Sequence, residues 1–122
     1  MAHFITWFEI PVTDFERAKK FYEGIFGVKV VKQEMGGSLM GFFPGERGSV
    51  SGAIVSGKGY IPSDNGALVY LNGGNDLNNV LSKVVGAGGK VAMPKTLINE
   101  DIGFFAIFHD TEGNKVALHS LK

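Results

Sequence analysis

Cysteine is absent from this 122-residue sequence, which removes disulfide frameworks, thiolate nucleophiles and zinc–thiolate sites from consideration. Excess charge of either sign is missing too: 12 Lys and Arg balance 12 Asp and Glu, and the pI is near 6.8. With no general field to attract nucleic acid or an anionic membrane surface, neither is favoured as a partner. No apolar run approaches the roughly 18–20 residues of a membrane span, and no basic segment followed by a long apolar run opens the chain. A soluble, cytoplasmic protein is expected. The glycine-rich pieces Gly36-Gly37, Gly73-Gly74 and Gly86 to Gly89 lack the GxxxxGK pattern of a phosphate loop.

What remains is enough for one ordinary domain with its own core, spanning residues 1–122. Eighteen glycines and ten phenylalanines point to many tight turns around an aromatic interior.

From Phe4 to Ile10 the chain is almost wholly apolar. Read as a strand, it puts Trp7 and Glu9 on one face and Phe8 and Ile10 on the other. Pro11 ends it, Asp14 supplies an N-cap, and Phe15, Ala18, Phe21, Tyr22, Ile25 and Phe26 form one helical stripe that stops at Gly27. Strands are expected at Val28 to Lys32, Leu39 to Phe43 and Val50 to Val55, with turns at Gly36-Gly37 and Pro44 to Gly48. Residues 57–66 carry turn composition without periodicity and read as a connection.

The pattern then repeats. Ala67 to Asn72 reads as a strand, and Leu77, Val80, Leu81, Val84 and Ala87 form a stripe ending at Gly88-Gly89. Asp76 lies 62 positions after Asp14, and the same offset sets Val69 against Trp7 and Gly89 against Gly27. Further strands are expected near Lys90 to Met93, Gly103 to His109 and Lys115 to Ser120. Asp110 to Gly113 makes a hairpin turn whose carboxylates are expected to face solvent. The architecture predicted is α+β: two tandem βαβββ modules, about 1–57 and 66–122 joined by about 57–66, whose cupped sheets enclose a small-molecule cleft.

These stretches resemble the glyoxalase I, bleomycin resistance protein and extradiol dioxygenase group, also called the vicinal oxygen chelate superfamily. The resemblance rests on PVTDFERAKKFYEGIFG from Pro11 to Gly27, NDLNNVLSKVVGAGGKV from Asn75 to Val91 and HDTEGNKVALHS from His109 to Ser120. It implies metal ligands on the first and last strand of each module. At those positions stand Trp7, Val69, Ala117 and, through the alignment of Gly48 with Gly113, Gly52. None offers an oxygen, nitrogen or thiolate donor to a divalent ion. Neither a metal nor another cofactor is therefore expected, and metal-dependent glyoxalase I or extradiol dioxygenase activity is disfavoured.

Alternation puts His119 on the face of Ala117, as it puts Glu9 on that of Trp7. Glu9 and His119 are the candidate acid and base of a metal-independent lyase or isomerase, the alternative being that they belong to a structural polar network or lie at the sheet rim in water. Trp7, Val69, Phe105 and Ala117 are candidate lining residues for a planar ligand, and equally core. Lys95 is a candidate for an anionic ligand. Two functions stay open: a binding protein for an aromatic or amphipathic small molecule, similar to the bleomycin resistance members, and the acid–base enzyme. The resemblance further implies a homodimer.

Overall fold

The computed structural model describes residues 3–122; residues 1–2, at which the first module was expected to begin, lie outside the described residues. The first half runs β1 (Trp7–Pro11), α1 (Phe15–Phe26), β2 (Val31–Met35), β3 (Ser38–Phe42) and β4 (Ser51–Ser56). The second runs β5 (Val69–Asn72), α2 (Asn78–Leu81), β6 (Lys90–Asn99), β7 (Gly103–His109) and β8 (Lys115–Ser120). Each half forms a four-stranded mixed sheet, ordered β1-β4-β3-β2 and β5-β8-β7-β6. In each, the first strand lies parallel to the last, and the other pairs are antiparallel. This is the expected α+β pair of βαβββ modules. No helix among the described residues is long and apolar enough to cross a membrane.

Helix α1 follows its sequence signals closely. The Asp14 carboxylate accepts from the Arg17 N–H, and Gly27 ends the helix at φ 65, a left-handed conformation that glycine adopts without a Cβ penalty. Its stripe of Phe15, Ala18, Phe21, Tyr22 and Ile25 is buried. Helix α2 is only four residues long, although the apolar stripe extends to Ala87. Beyond Leu81 the hydrogen bonds tighten, with Lys83 N–H donating to Val80 O and Val84 N–H to Leu81 O. Val84, Val85 and Gly86 are poor helix formers, and packing holds this segment as turns. Strand β1 starts at Trp7 rather than Phe4, because its partner strand begins at Ser51. Strand β2 starts at Val31 rather than Val28: Val30 is buried and its N–H donates to the Glu23 carboxylate, which anchors the chain before the strand.

One core joins both halves, built from α1, α2 and the inner sheet faces. Phe21 sits edge-on to Tyr22 at 5.0 Å and tilts against Phe108 of the second sheet at 5.9 Å. Each such buried aromatic contributes about 2–3 kcal/mol by area alone.

The turn carboxylates do not face solvent. Asp110 is 5% exposed and accepts four hydrogen bonds: from Tyr22 Oη (2.8 Å), Asn114 Nδ2 (3.0 Å) and the N–H groups of Glu112 (2.8 Å) and Asn114 (2.9 Å). The Glu112 side chain is fully covered. It accepts from the Thr13 and Asp14 N–H groups and pairs with Arg17. Asn114 completes the contact by donating to Pro11 O at 2.7 Å. Turn composition explains the local geometry of this loop, whereas its burial comes from docking onto the start of α1, a long-range partner. Lys95 is likewise committed inside the fold, 2.9 Å from Asp76 and 4.5 Å from the centre of the Phe104 ring.

The repeat offset fails by one residue in the strands. Val12 N–H donates to Val55 O, and Gly73 N–H to His119 O. Superposing these bonds sets Glu9 against Tyr70, Phe8 against Val69 and Ala53 against Ala117. The matched pair Asp14 and Asp76, 62 positions apart, then requires one extra residue in the second module, accommodated at Gly74, whose φ is 76. A slip of one residue exchanges the two faces of a strand. Val69 therefore packs with Leu71 against the core, and Tyr70 takes the place beside Ala117 expected of Val69. Ala53, not Gly52, is the counterpart of Ala117.

Candidate functional site

The sheet faces turned away from the helices present polar groups beside aromatic side chains. On the first sheet, Trp7 and Glu9 lie beside Ser51 and Ala53, and Ala53 lies beside Phe42. Phe42 thus faces outward, its ring 5.9 Å from Trp7 and tilted by 51°. Phe43 points inward, edge-on to Tyr22 and stacked near Phe8. Trp7 remains 42% exposed, enough for one indole face to meet a ligand.

Glu9 stands in the middle of this surface. Trp7 Nε1 donates to one carboxylate oxygen at 3.4 Å, and Tyr60 Oη to the other at 3.2 Å. Tyr60 comes from the connecting segment, where Tyr60 N–H closes a turn on Gly57 O. Its hydrogen bond to Glu9, and then repulsion between that carboxylate and a phenolate, push its pKa upward; Tyr60 stays a donor at neutral pH. Periodicity gave no access to Tyr60. The one available signal was an aromatic residue inside an otherwise Gly, Pro, Ser and Asp-rich linker.

On the second sheet, Tyr70, Ala117 and Ile107 lie side by side, as do Asn72, His119 and Phe105. Ala117 is fully covered and Phe105 half-buried. His119 Nε2 lies 2.6 Å from Ile102 O; because a carbonyl only accepts, Nε2 is the donor of this hydrogen bond. A cavity of about 670 Å³ surrounds His119, Asn72, Ile98 and Ile102. A larger groove of about 1030 Å³ runs between the edge strands β1 and β5, lined chiefly by Phe8, Phe26, Val28, Phe43, Val69 and Leu71. Glu9 lines neither. The structure thus joins Trp7 with Glu9, and His119 with Phe105 and Ala117, on two different sheets, while Val69 serves the groove between them.

Residues 4–118 match the family model of the Glyoxalase/Bleomycin resistance protein/Dioxygenase superfamily. The chain belongs to this superfamily. It is 38% identical over 119 residues to a glyoxylase-like domain-containing protein of Didymella fabae, covering 93% of this chain and 91% of that one. Among solved structures, a glyoxalase/bleomycin resistance protein from Albidiferax ferrireducens T118 superposes with a TM-score of 0.73 at 17% identity, covering 95% of this chain and 97% of that one. TnmS3, an antibiotic binding protein from Streptomyces sp. CB03234, gives 0.67 at 22%, with 98% of each chain covered. Glyoxalase I of Zea mays gives 0.69 at 19% over 95% of this chain, which spans only 44% of the maize protein. These superpositions show a shared fold.

The metal of some superfamily members has no matching donor set here. The outward positions of the first and last strands hold Trp7, Glu9, Ser51, Ala53, Tyr70, Asn72, Ala117 and His119, and among the described residues no three His, Asp or Glu side chains converge. These residues do not fit a divalent ion, which needs several nitrogen or oxygen donors at one point.

Proposed function

We propose that this superfamily member is a small-molecule-binding protein whose ligand, aromatic or amphipathic, lies against Trp7 and Phe42 on the outward face of the first sheet. The observation that carries this reading is the exposed Trp7 packed beside a partly buried Phe42, next to the Glu9 carboxylate. A flat ring meets two aromatic walls there, and Glu9 orients it through a hydrogen bond, an arrangement of many apolar groups and few polar ones that suits ligand sites. Phe105 and Ala117 extend the reading to the second sheet, and Val69 to the groove between the modules. The acid–base alternative finds less support, since Glu9 and His119 lie on separate sheets and line no common cavity. Assembly as a homodimer belongs to the same reading; exposed Phe4, Ile5 and Tyr70 support it, and sedimentation velocity checks it.

Trp7 is the single tryptophan of the chain, so its fluorescence reports this site without a label. Native mass spectrometry of freshly purified protein is expected to show a co-purifying ligand, and adding that compound to stripped protein is expected to change the emission. Trp7→Ala and Phe42→Ala, if folded, are expected to weaken its binding at least tenfold by calorimetry. Unchanged affinity in both variants would overturn the assignment.

A further inference from the structure

We propose that the ligand of this face is a planar aromatic cation, its positive charge set against Glu9. The inference rests on the binding reading above and adds the charge class of the molecule bound.

The way Glu9 is partnered carries the argument. Four carboxylates meet a cationic side chain within 3.2 Å, namely Glu16 with Lys32, Glu23 with Lys19, Asp76 with Lys95 and Glu112 with Arg17. Glu9 is one of several exposed carboxylates that do not, and what sets it apart is its place between two aromatic donors, Trp7 and Tyr60. Glu9 has no Lys, Arg or His nitrogen within 4.0 Å among the described residues, whereas even the longest such pair elsewhere, His109 with Asp64, comes to 4.0 Å. Its side-chain hydrogen-bond partners among the described residues are two neutral donors, Trp7 Nε1 and Tyr60 Oη. They neutralise none of its charge. At 3.4 and 3.2 Å both bonds are long for a carboxylate, which accepts at about four lone-pair sites and is usually met at roughly 2.5–2.9 Å.

The surroundings select the same sign. Trp7 and Phe42 present π faces, whose negative potential attracts cations. Pro11, Ala53 and Met40, on the same sheet face, are apolar. Among the described residues the strands carry no Lys or Arg there, and apart from Glu9 their polar side chains, such as Ser51 and Gln33, are neutral. An anionic aromatic compound meets an uncompensated carboxylate and two electron-rich faces, which is repulsion built against the wrong ligand. Tyr60, held protonated beside Glu9, keeps the carboxylate aimed at the Trp7 ring. A delocalised flat cation satisfies stacking and charge together; one that keeps an N–H also donates to Glu9, whereas an N-alkylated ring meets the carboxylate by charge alone.

Three probes of nearly equal shape test this: N-methylquinolinium (cation), quinoline at pH 8 (neutral) and 2-naphthoate (anion), each titrated by calorimetry at low salt with two-dimensional NMR to locate the site. N-methylquinolinium is expected to bind at least tenfold tighter than quinoline, with shifts at Trp7 and Tyr60, and 2-naphthoate weakest of all. Glu9→Gln is expected to erase that preference, so that N-methylquinolinium and quinoline bind within twofold of one another. Glu9→Lys is expected to invert the order in favour of 2-naphthoate. Equal affinity for cation and neutral probe overturns the charge assignment and leaves the general binding reading standing. Persistence of the preference in Glu9→Gln also overturns it. Failure of all three probes to bind at Trp7 overturns both readings together.

Discussion

Glu112→Gln should destabilise the fold by about 2 kcal/mol at neutral pH, although the residue sits in a surface turn. The Glu112 side chain is fully covered and accepts from Thr13 N–H (3.0 Å), Asp14 N–H (2.7 Å), Arg17 Nε (2.8 Å), Arg17 Nη2 (3.1 Å) and Thr111 Oγ1 (2.9 Å). Every partner is a donor. A glutamine offers one oxygen and one NH₂, so its amide must turn donors toward either the helix N-terminus or the guanidinium. Burial acts to raise the carboxyl pKa, but the Arg17 guanidinium, the Asp14 N–H, the Thr111 hydroxyl and the Thr13 N–H together outweigh it and hold it at about 2, from an ordinary 4.5. That displacement corresponds to ~3 kcal/mol, discounted to about 2 because Arg17 is half exposed and solvent screens it.

The sign follows from the direction. A carboxyl whose folded pKa is depressed contributes its stability above pH 4.5, and loses it as the pH falls from 4.5 toward about 2. The parent should therefore melt roughly 6–10 °C above Glu112→Gln at pH 7, and the gap should close progressively below pH 4.5. Scanning calorimetry at several pH values, with urea unfolding for the free energy, reads both effects. A difference below 1 °C at pH 7, or a gap that persists unchanged in acid, would refute the reasoning that this turn locks the second module onto the helix of the first.

Two further outcomes follow from packing and buried polarity. Burial first, and then the neighbouring Asp110 carboxylate, push the Tyr22 pKa well above its ordinary value, so its neutral form is the one the fold favours. In an alkaline spectrophotometric titration one of the three tyrosines should ionise only on unfolding; three titrating reversibly in folded protein would contradict this. Gly41→Ala should lower stability by about 1–3 kcal/mol in urea unfolding, because the new Cβ would lie 2.7 Å from Val30 Cγ1 and 2.8 Å from Ile54 Cγ1. A neutral result would mean that these side chains repack freely.

Features set by neighbours in sequence were legible without coordinates, and features set by distant partners were not. The whole of α1 followed from Asp14, an apolar stripe and Gly27, all local. The shared face of Trp7 and Glu9 followed from strand alternation. Tyr60 lies 51 residues from the carboxylate it binds, and Glu112 lies 95 from Arg17; nothing near either residue marks the partner. Composition described the Asp110 to Gly113 turn correctly as a turn, and for that reason concealed that its carboxylates are interior groups.

The displacement of Val69 has a different origin, because the information was local but its consequence was not. Helical stripes tolerate an offset of one residue, since a stripe is broad and its period is 3.6. Strands tolerate none, since their period is two. Matching Asp76 to Asp14 therefore aligned the two helices well while reversing the strand that precedes the second one. The extra residue at Gly74 changes which side chain each module presents: carboxylate Glu9 in the first, phenol Tyr70 in the second. Repeat symmetry alone would give two equivalent faces. The residues at the matched positions break that equivalence, so the first sheet presents the Glu9 carboxylate where the second presents the Tyr70 phenol.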